Sequence, residues 1–188
     1  MADKPLATVD EAVLAAALSG DEAAFGCLYE ALQPGLLRYA ALLSGQDAED
    51  VCAETWLQAC RDIGGFSGDL VQFRGWIARI ARNRAIDLGR ARQRRPADLL
   101  PPGELGDFDD SRAGSAELGA MDSLATRRAL ELIGGLPKDQ AEAIMLRVVL
   151  GLDAKSAAAV VGKRPGAVRT AAYRGLRTLQ QRLGEAEG

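Results

Sequence analysis

The segment DAKSAAAVVGKRPGAVRTAAYRGLRTLQQR, at residues 153–182, predicts a short helix, a tight turn and a second, basic helix. Alanine and valine dominate the first part, Gly162 and Gly166 bracket the turn, and the second helix runs to about Leu183. A short helix, a glycine-bearing turn and a basic second helix are typical of a helix-turn-helix, which places its second helix in the major groove of DNA.

The second helix of this segment has an apolar face and a basic face. We expect Val168, Ala172, Leu176 and Leu179 to face the core. Residues 163–182 hold six basic residues and no acid. Arginine can read guanine with two hydrogen bonds, and hydroxyl groups can bond phosphate or base edges. The DNA-binding candidates in this segment are Lys163, Arg164, Arg169, Thr170, Tyr173, Arg174 and Arg177.

A second basic segment, FRGWIARIARNRAIDLGRARQRR at residues 73–95, carries eight arginines against the single acid Asp87. Its periodicity predicts a helix over 71–93 with Phe73, Ile77, Ile80 and Ile86 inward and the arginines outward. A glycine-rich, flexible loop is expected at 64–70. Cations follow phosphates and aromatic rings stack unpaired bases, although the rings could equally be core residues. The candidates for contact with opened DNA are Phe66, Arg74, Trp76, Arg79, Arg82, Arg84 and Arg90.

Helical periodicity covers most of the remaining chain, which has an Ala- and Leu-rich composition typical of an all-α protein. Residues 8–43 predict helices, with a new helix or a kink at Pro34. Residues 47–63 and 122–133 predict one helix each. Residues 136–152 predict a helix that packs through Ala141, Ile144, Met145 and Val148.

The stretch between the two basic segments has a different character. PADLLPPGELGDFDDSRAGSAELGAM, at 96–121, contains prolines, acids and small residues without periodicity. Residues 97–125 carry a net charge of −6, and residues 126–188 carry +5. We interpret 96–121 as a flexible acidic linker between two small helical domains.

Several classes of protein are disfavoured by composition. The chain has no histidine, and no nucleophile elbow, P-loop or dinucleotide fingerprint, so we predict no catalytic residues, no metal site and no cofactor. Cys27, Cys52 and Cys60 are expected to be free thiols buried in a protein of the reducing cytoplasm. No secretion signal and no membrane-inserting segment is predicted.

The helix predicted at 47–63 begins with a cluster of acids: Asp47, Glu49, Asp50 and Glu54. Acids near a helix N-terminus stabilise the helix dipole, which is one explanation. The other is a docking face for a basic protein surface, since these side chains would repel DNA.

In order and spacing, DAEDVCAETW (47–56), the 73–95 segment and the 136–179 segment resemble the bacterial extracytoplasmic-function (ECF) sigma factors of RNA polymerase. The resemblance implies sigma region 2 at 8–95, for core binding and recognition and melting of the minus-ten element. The acidic linker would follow at 96–121, and a helix-turn-helix region 4 at 122–184 would read the minus-thirty-five element. It implies no enzyme activity.

The resemblance also implies partners and roles. RNA polymerase core would be bound through the β′ clamp helices and the β flap, and promoter DNA through both basic helices. The implied polymerase-binding residues are Asp47, Glu49, Asp50, Glu54 and Trp56. Asn83 joins the minus-ten candidates. A separate anti-sigma factor, or expression level alone, would provide regulation.

Two other functions remain open at this point. A stand-alone helix-turn-helix regulator would bind duplex DNA without polymerase. A decoy would bind polymerase or an anti-sigma factor without recognising promoters, and Ala171 and Ala172, which replace a common Arg-Leu pair, keep this alternative open. Gly175 is an unfavourable residue inside a helix. The sequence does not decide whether the two halves fold against each other in the free protein.

Overall fold

The computed structural model describes residues 9–94 and 124–186, and these residues form helices and short connections, which confirms the all-α prediction. The predicted linker at 96–121 lies outside the described residues. A π-helical turn spans Met145–Val149, and short 3₁₀ turns precede α3 and follow it. The helices are α1 Glu11–Leu18, α2 Glu22–Ser44, α3 Ala48–Asp62, α4 Leu70–Arg94, α5 Leu124–Gly134, α6 Lys138–Ile144, α7 Ala154–Val161 and α8 Pro165–Ala186.

Aspartate side chains cap four of the described helices, and at α4 the Gln72 N–H donates to Asp69 Oδ1 at 2.7 Å. One carboxylate oxygen of Asp10 accepts from the backbone N–H groups of Ala12 and Val13, both at 3.0 Å, and Asp21 caps α2 in the same way. Asp153 caps α7 by accepting from the Ser156 N–H at 2.6 Å, and these bonds lower the pKa of Asp153. Each cap provides an acceptor for N–H groups that have none within the helix.

The first half has its core between α2, α3 and α4, where Leu28, Leu36, Phe73 and Ile77 are buried. Of the two alternatives predicted at Pro34, a new helix is wrong, because α2 continues through this residue as one helix, and a kink stays a prediction. The apolar residues on both sides of Pro34 pack into the same core. Tertiary packing of a helix face outweighs the loss of one backbone hydrogen bond.

The second half is a helix-turn-helix whose core includes Ala141, Ile144 and Met145, as predicted. Val148, also predicted to face this core, is 60 % exposed. The π-helical turn explains the difference, because an extra residue per turn rotates position 148 away from the apolar stripe. The turn closes with the Leu150 N–H donating to the Met145 carbonyl at 2.9 Å.

The two halves pack against each other. Tyr39 on α2 and Ala78 on α4 are fully buried, and both belong to the apolar cluster of the second half rather than to that of their own half. Helix α4 packs along α7, and α2 reaches the π-helical turn. The described residues therefore show a closed arrangement of the two halves.

The cysteine prediction is only partly correct. All three thiols are free, and Cys52 is buried, but Cys27 and Cys60 are exposed. Both lie on helix faces turned away from the core, which the sequence pattern did not distinguish. Within residues 9–94 and 124–186, no helix combines the length and the apolar character needed to cross a membrane.

Candidate nucleic-acid interface

Helix α8 presents its basic face to solvent. Gly162 ends α7 in the left-handed conformation with φ of 68°, and the Lys163 N–H donates to the Ala158 carbonyl at 3.0 Å. This geometry favours glycine, and Pro165 then starts α8. The candidates that are exposed around this turn and along α8 are Lys163, Arg164, Arg169, Thr170, Tyr173, Arg174 and Arg177.

The opposite face of α8 anchors it to α6 and α7. Val168 and Ala172 are buried as predicted, but Leu176 is 47 % exposed, so the predicted apolar stripe is narrower than expected. Gly175 continues the buried face, where a β-carbon would lie 2.7 Å from Ile144 Cδ1. Glycine at position 175 therefore allows α6 and α8 to approach closely without displacing Ile144, which explains a residue that appeared unfavourable in the sequence.

Near the turn, Lys163 forms an ion pair with Asp139 on α6. Both side chains are substantially exposed, so the pair contributes little stability. Lys163 can therefore exchange this partner for a phosphate group at low cost.

Helix α4 places its arginines in two different environments. Arg79, Asn83 and Arg90 are exposed, and Arg90 has only a long ion pair of 3.7 Å to Asp87. Arg84 is half-buried and donates through Nη2 to Gln58 Oε1 at 2.9 Å. The first group is accessible to a polyanion in this arrangement.

Arg74 and Arg82 do not point outward as expected. Arg82 Nε donates to Glu142 Oε1 at 2.8 Å, and only 24 % of its side chain is exposed. Arg74 packs beside Gly151, with Nε buried and without a hydrogen-bond partner among the described residues. The physical reason is the closed arrangement, since both side chains lie where the second half covers α4.

The three rings near the start of α4 form one cluster. Phe73 is fully buried and contacts Phe66 edge to face, with ring centroids 5.3 Å apart. Trp76 completes the cluster at 5.2 Å from Phe66 and 5.6 Å from Phe73. Phe66 and Trp76 remain half-buried, so each is at once a packing residue and a surface on which a base could stack.

Trp76 and Arg79 also line a cleft of about 640 Å³ between α4 and α7. Its opposite wall includes Lys155 and Ser156. The cleft thus joins an aromatic ring to cations from both halves of the protein.

Most of the acids predicted to form a docking face on α3 are accessible to solvent. Glu49, Asp50 and Glu54 are exposed, whereas Asp47 is mostly covered and pairs with Arg92 of α4. Trp56 is 6 % exposed, and its Nε1 donates to Gln33 Oε1 at 2.7 Å. Trp56 packs against the rings of α2 rather than facing solvent, and its role in polymerase binding stays a prediction.

Two residues that the sequence reasoning missed stand out. Leu57 is 57 % exposed, one helical turn beyond Glu54, and adds an apolar centre to the acidic face. The three-residue spacing from Glu54, which puts both residues on one face of a helix, could have indicated this position from the sequence. Glu142 is 4 % exposed and accepts from both Tyr39 Oη, at 2.9 Å, and Arg82 Nε. The single acid in the otherwise apolar stretch 141–146 could have indicated Glu142 from the sequence.

The Tyr39 hydroxyl is held in its protonated form. Burial, followed by the neighbouring Glu142 carboxylate, raises the pKa of Tyr39 well above its ordinary value. A protonated phenol donates its O–H to a carboxylate, and this matches the observed hydrogen bond from Tyr39 to Glu142.

Comparison with known proteins gives a consistent result. Residues 28–95 match the family model Sigma-70 region 2, and residues 126–179 match Sigma-70, region 4. The ECF RNA polymerase sigma factor SigD of Mycobacterium bovis is 32% identical over 182 residues, which cover 92% of this chain and 83% of SigD. BldN of Streptomyces coelicolor, also an ECF RNA polymerase sigma factor, is 34% identical over 169 residues, and this chain covers 63% of its length.

Two solved structures share the fold. The sigma factor RpoE of Bartonella quintana, in complex with the anti-sigma factor NepR, superposes with a TM-score of 0.62 at 24% identity, over 85% of this chain and 96% of RpoE. CnrH, in complex with the cytosolic domain of CnrY, gives a TM-score of 0.61 at 24% identity, over 94% and 98% of the two chains. With both family models matched in order along its length, the chain belongs to the extracytoplasmic-function RNA polymerase sigma factors of the sigma-70 family.

Proposed function

We propose that this chain directs RNA polymerase core to specific promoters and helps to open them. The observation that carries the proposal is the exposed face of α8. Seven cationic or hydroxyl-bearing residues surround the turn and the helix, and the buried residues behind them hold α8 rigidly. Rigid presentation of arginine, threonine and tyrosine suits reading of a duplex major groove, here the minus-thirty-five element.

The second DNA contact in this proposal is made by α4 and the residues before it. Arg79, Asn83 and Arg90 would follow the phosphates of the minus-ten region, while Phe66 and Trp76 would stack bases that leave the duplex. Exposure of the three polar residues and half-burial of the two rings support this assignment. Arg74, Arg82 and Arg84 would join them once released from their present contacts.

The contact with polymerase is assigned to α3. Its exposed acids Glu49, Asp50 and Glu54 surround the exposed Leu57, a combination that suits a basic surface with an apolar centre. We assign this face to the β′ clamp helices and the second half to the β flap. The acidic segment at 96–121 would connect the two contacts on the polymerase surface.

The chain would act in the cytoplasm, where polymerase and promoters meet, and would have no catalytic activity of its own. An anti-sigma protein is a further proposed partner. The structure of the sigma factor RpoE with the anti-sigma factor NepR provides a precedent on the same fold.

Run-off transcription tests the proposal. Purified core polymerase would transcribe a fragmented genomic library with and without the protein. Discrete start sites that require the protein, with shared upstream sequences, are the expected result. Retention on core without new transcripts would replace the proposal by the decoy function, and binding to duplex DNA without binding to core would replace it by a stand-alone regulator.

A further inference from the structure

We propose that Glu142 locks the two halves of the free protein together and thereby keeps part of the α4 surface from DNA. This regulation rests on the proposed function, because it concerns access to the same DNA-binding residues. The lock itself is a physical arrangement that can be measured without polymerase or promoter.

The lock joins three helices at a single oxygen atom. Glu142 Oε1, on α6, accepts from Tyr39 Oη of α2 at 2.9 Å and from Arg82 Nε of α4 at 2.8 Å. Only 6% of the Glu142 side chain is exposed. A buried carboxylate needs partners, and both of its donors in this structure come from the other half of the molecule. Separation of the halves therefore removes both hydrogen bonds together.

The seam around the lock is fitted closely. A β-carbon at Gly35 would lie 3.2 Å from Leu150 Cδ2, which is tighter than an ordinary contact, whereas one at Gly75 would meet Ser156 Cβ at an ordinary 3.6 Å. Ala78, on the same face of α4, is fully buried in the cluster of the second half. The small residues Gly35 and Ala78 let α2 and α4 approach the second half, and the resulting contact excludes solvent from Tyr39 and Glu142.

The lock covers the two DNA contacts unequally. It engages Arg82, packs Arg74 beside Gly151 and leaves Trp76 half-buried in the wall of the cleft between α4 and α7. The basic face of α8 stays exposed throughout. In the locked state the protein can therefore still meet duplex DNA through α8, while its contacts to opened DNA through α4 are reduced.

Two variants release the lock by different means. Tyr39→Phe combined with Glu142→Gln removes the charge and one donor, while it leaves the volume of the side chains almost unchanged. Gly75→Leu acts as a steric wedge, and Gly75→Ala is its matched control because a β-carbon at this position meets Ser156 at an ordinary contact distance. Glu131→Gln removes the same charge from an exposed site on α5 and controls for net charge.

Small-angle X-ray scattering on the full chain is the first measurement. The double variant and Gly75→Leu should both have a larger radius of gyration than the wild type, while Gly75→Ala and Glu131→Gln should match the wild type. Circular dichroism confirms that helix content is retained. Wild-type dimensions for both folded release variants would overturn the lock, whatever the protein does with polymerase.

Binding of a fluorescein-labelled mixed-sequence single-stranded 20-mer is the second measurement. Both release variants should bind this oligonucleotide about tenfold more tightly than the wild type, as expected if roughly a tenth of the wild-type molecules are open. The same increase in Glu131→Gln would assign the effect to net charge and overturn the masking. Expansion in scattering without any gain in binding would retain the lock as a structural contact and reject its role in covering α4.

Discussion

Gly175 of α8 lies against Ile144 of α6 so closely that a β-carbon at position 175 would come 2.7 Å from Ile144 Cδ1 and 3.2 Å from Gln140 Cβ. The crossing of these helices holds the exposed arginines of α8 in place from behind. The position and orientation of the exposed basic face of α8 therefore depend on a residue on the buried side of the same helix.

Gly175→Ala should destabilise the protein, although alanine is the better helix former. Overpacking typically costs about 1–3 kcal/mol, and the gain in helix propensity returns up to about 1 kcal/mol. Urea unfolding of the two proteins measures the net change. Gly166→Ala, in the same helix with open space around the added carbon, is the matched control and should be neutral or stabilising. Equal effects of the two substitutions would contradict the packing argument.

Arg169→Ala and Arg174→Ala should each weaken binding to a promoter duplex by about 1–3 kcal/mol if they read bases. If either contacts phosphate only, the slope of log affinity against log salt should fall by about one for that variant. Anisotropy titrations at several salt concentrations separate the two cases. Arg182→Ala removes a charge from the same helix at a side chain that contacts the Gly135 carbonyl, and it should have little effect.

Leu57→Ser should weaken binding to polymerase core without destabilising the chain, because Leu57 is largely exposed beside the acids of α3. Trp56→Phe should instead destabilise the chain without weakening binding to core, since it removes a hydrogen bond to Gln33 from a buried ring. Core affinity and thermal unfolding, measured on both variants, test the distinction. Leu124→Ser, at an exposed leucine of the other half, controls for loss of surface hydrophobicity. A stronger effect of Trp56→Phe than of Leu57→Ser on core affinity would assign the docking role to Trp56 rather than to Leu57.

Iodoacetamide at pH 8 should modify Cys27 and Cys60 but leave Cys52 unmodified in the folded protein. Burial, with a smaller contribution from Glu49, raises the pKa of Cys52 to about 12, so its reactive thiolate is almost absent at this pH. Intact-mass spectrometry should show two adducts in buffer and three in denaturant. Three adducts under native conditions would contradict the packing around Cys52.

The sequence allowed the helices and the α8 face to be predicted because both depend on local periodicity. It did not reveal the pairing of Tyr39 with Glu142, which are 103 residues apart, because periodicity carries no information on which helix faces meet. The same limitation explains why Arg82 was expected in solvent. Val148 and Leu176 were misplaced for a local reason, since a π-helical turn and a narrow packing stripe change the register that an ideal helix would keep.

Because Glu142 contacts Tyr39 and Arg82 across the two halves, it separates two properties of a transcription factor that usually change together. One is the set of promoters that it reads, which depends on side chains that touch bases. The other is the fraction of molecules ready to read them, which depends on how firmly the halves are held. A substitution at Glu142 alters the second property without touching the first. The strength of a whole gene programme could therefore be adjusted in evolution while its membership stays the same.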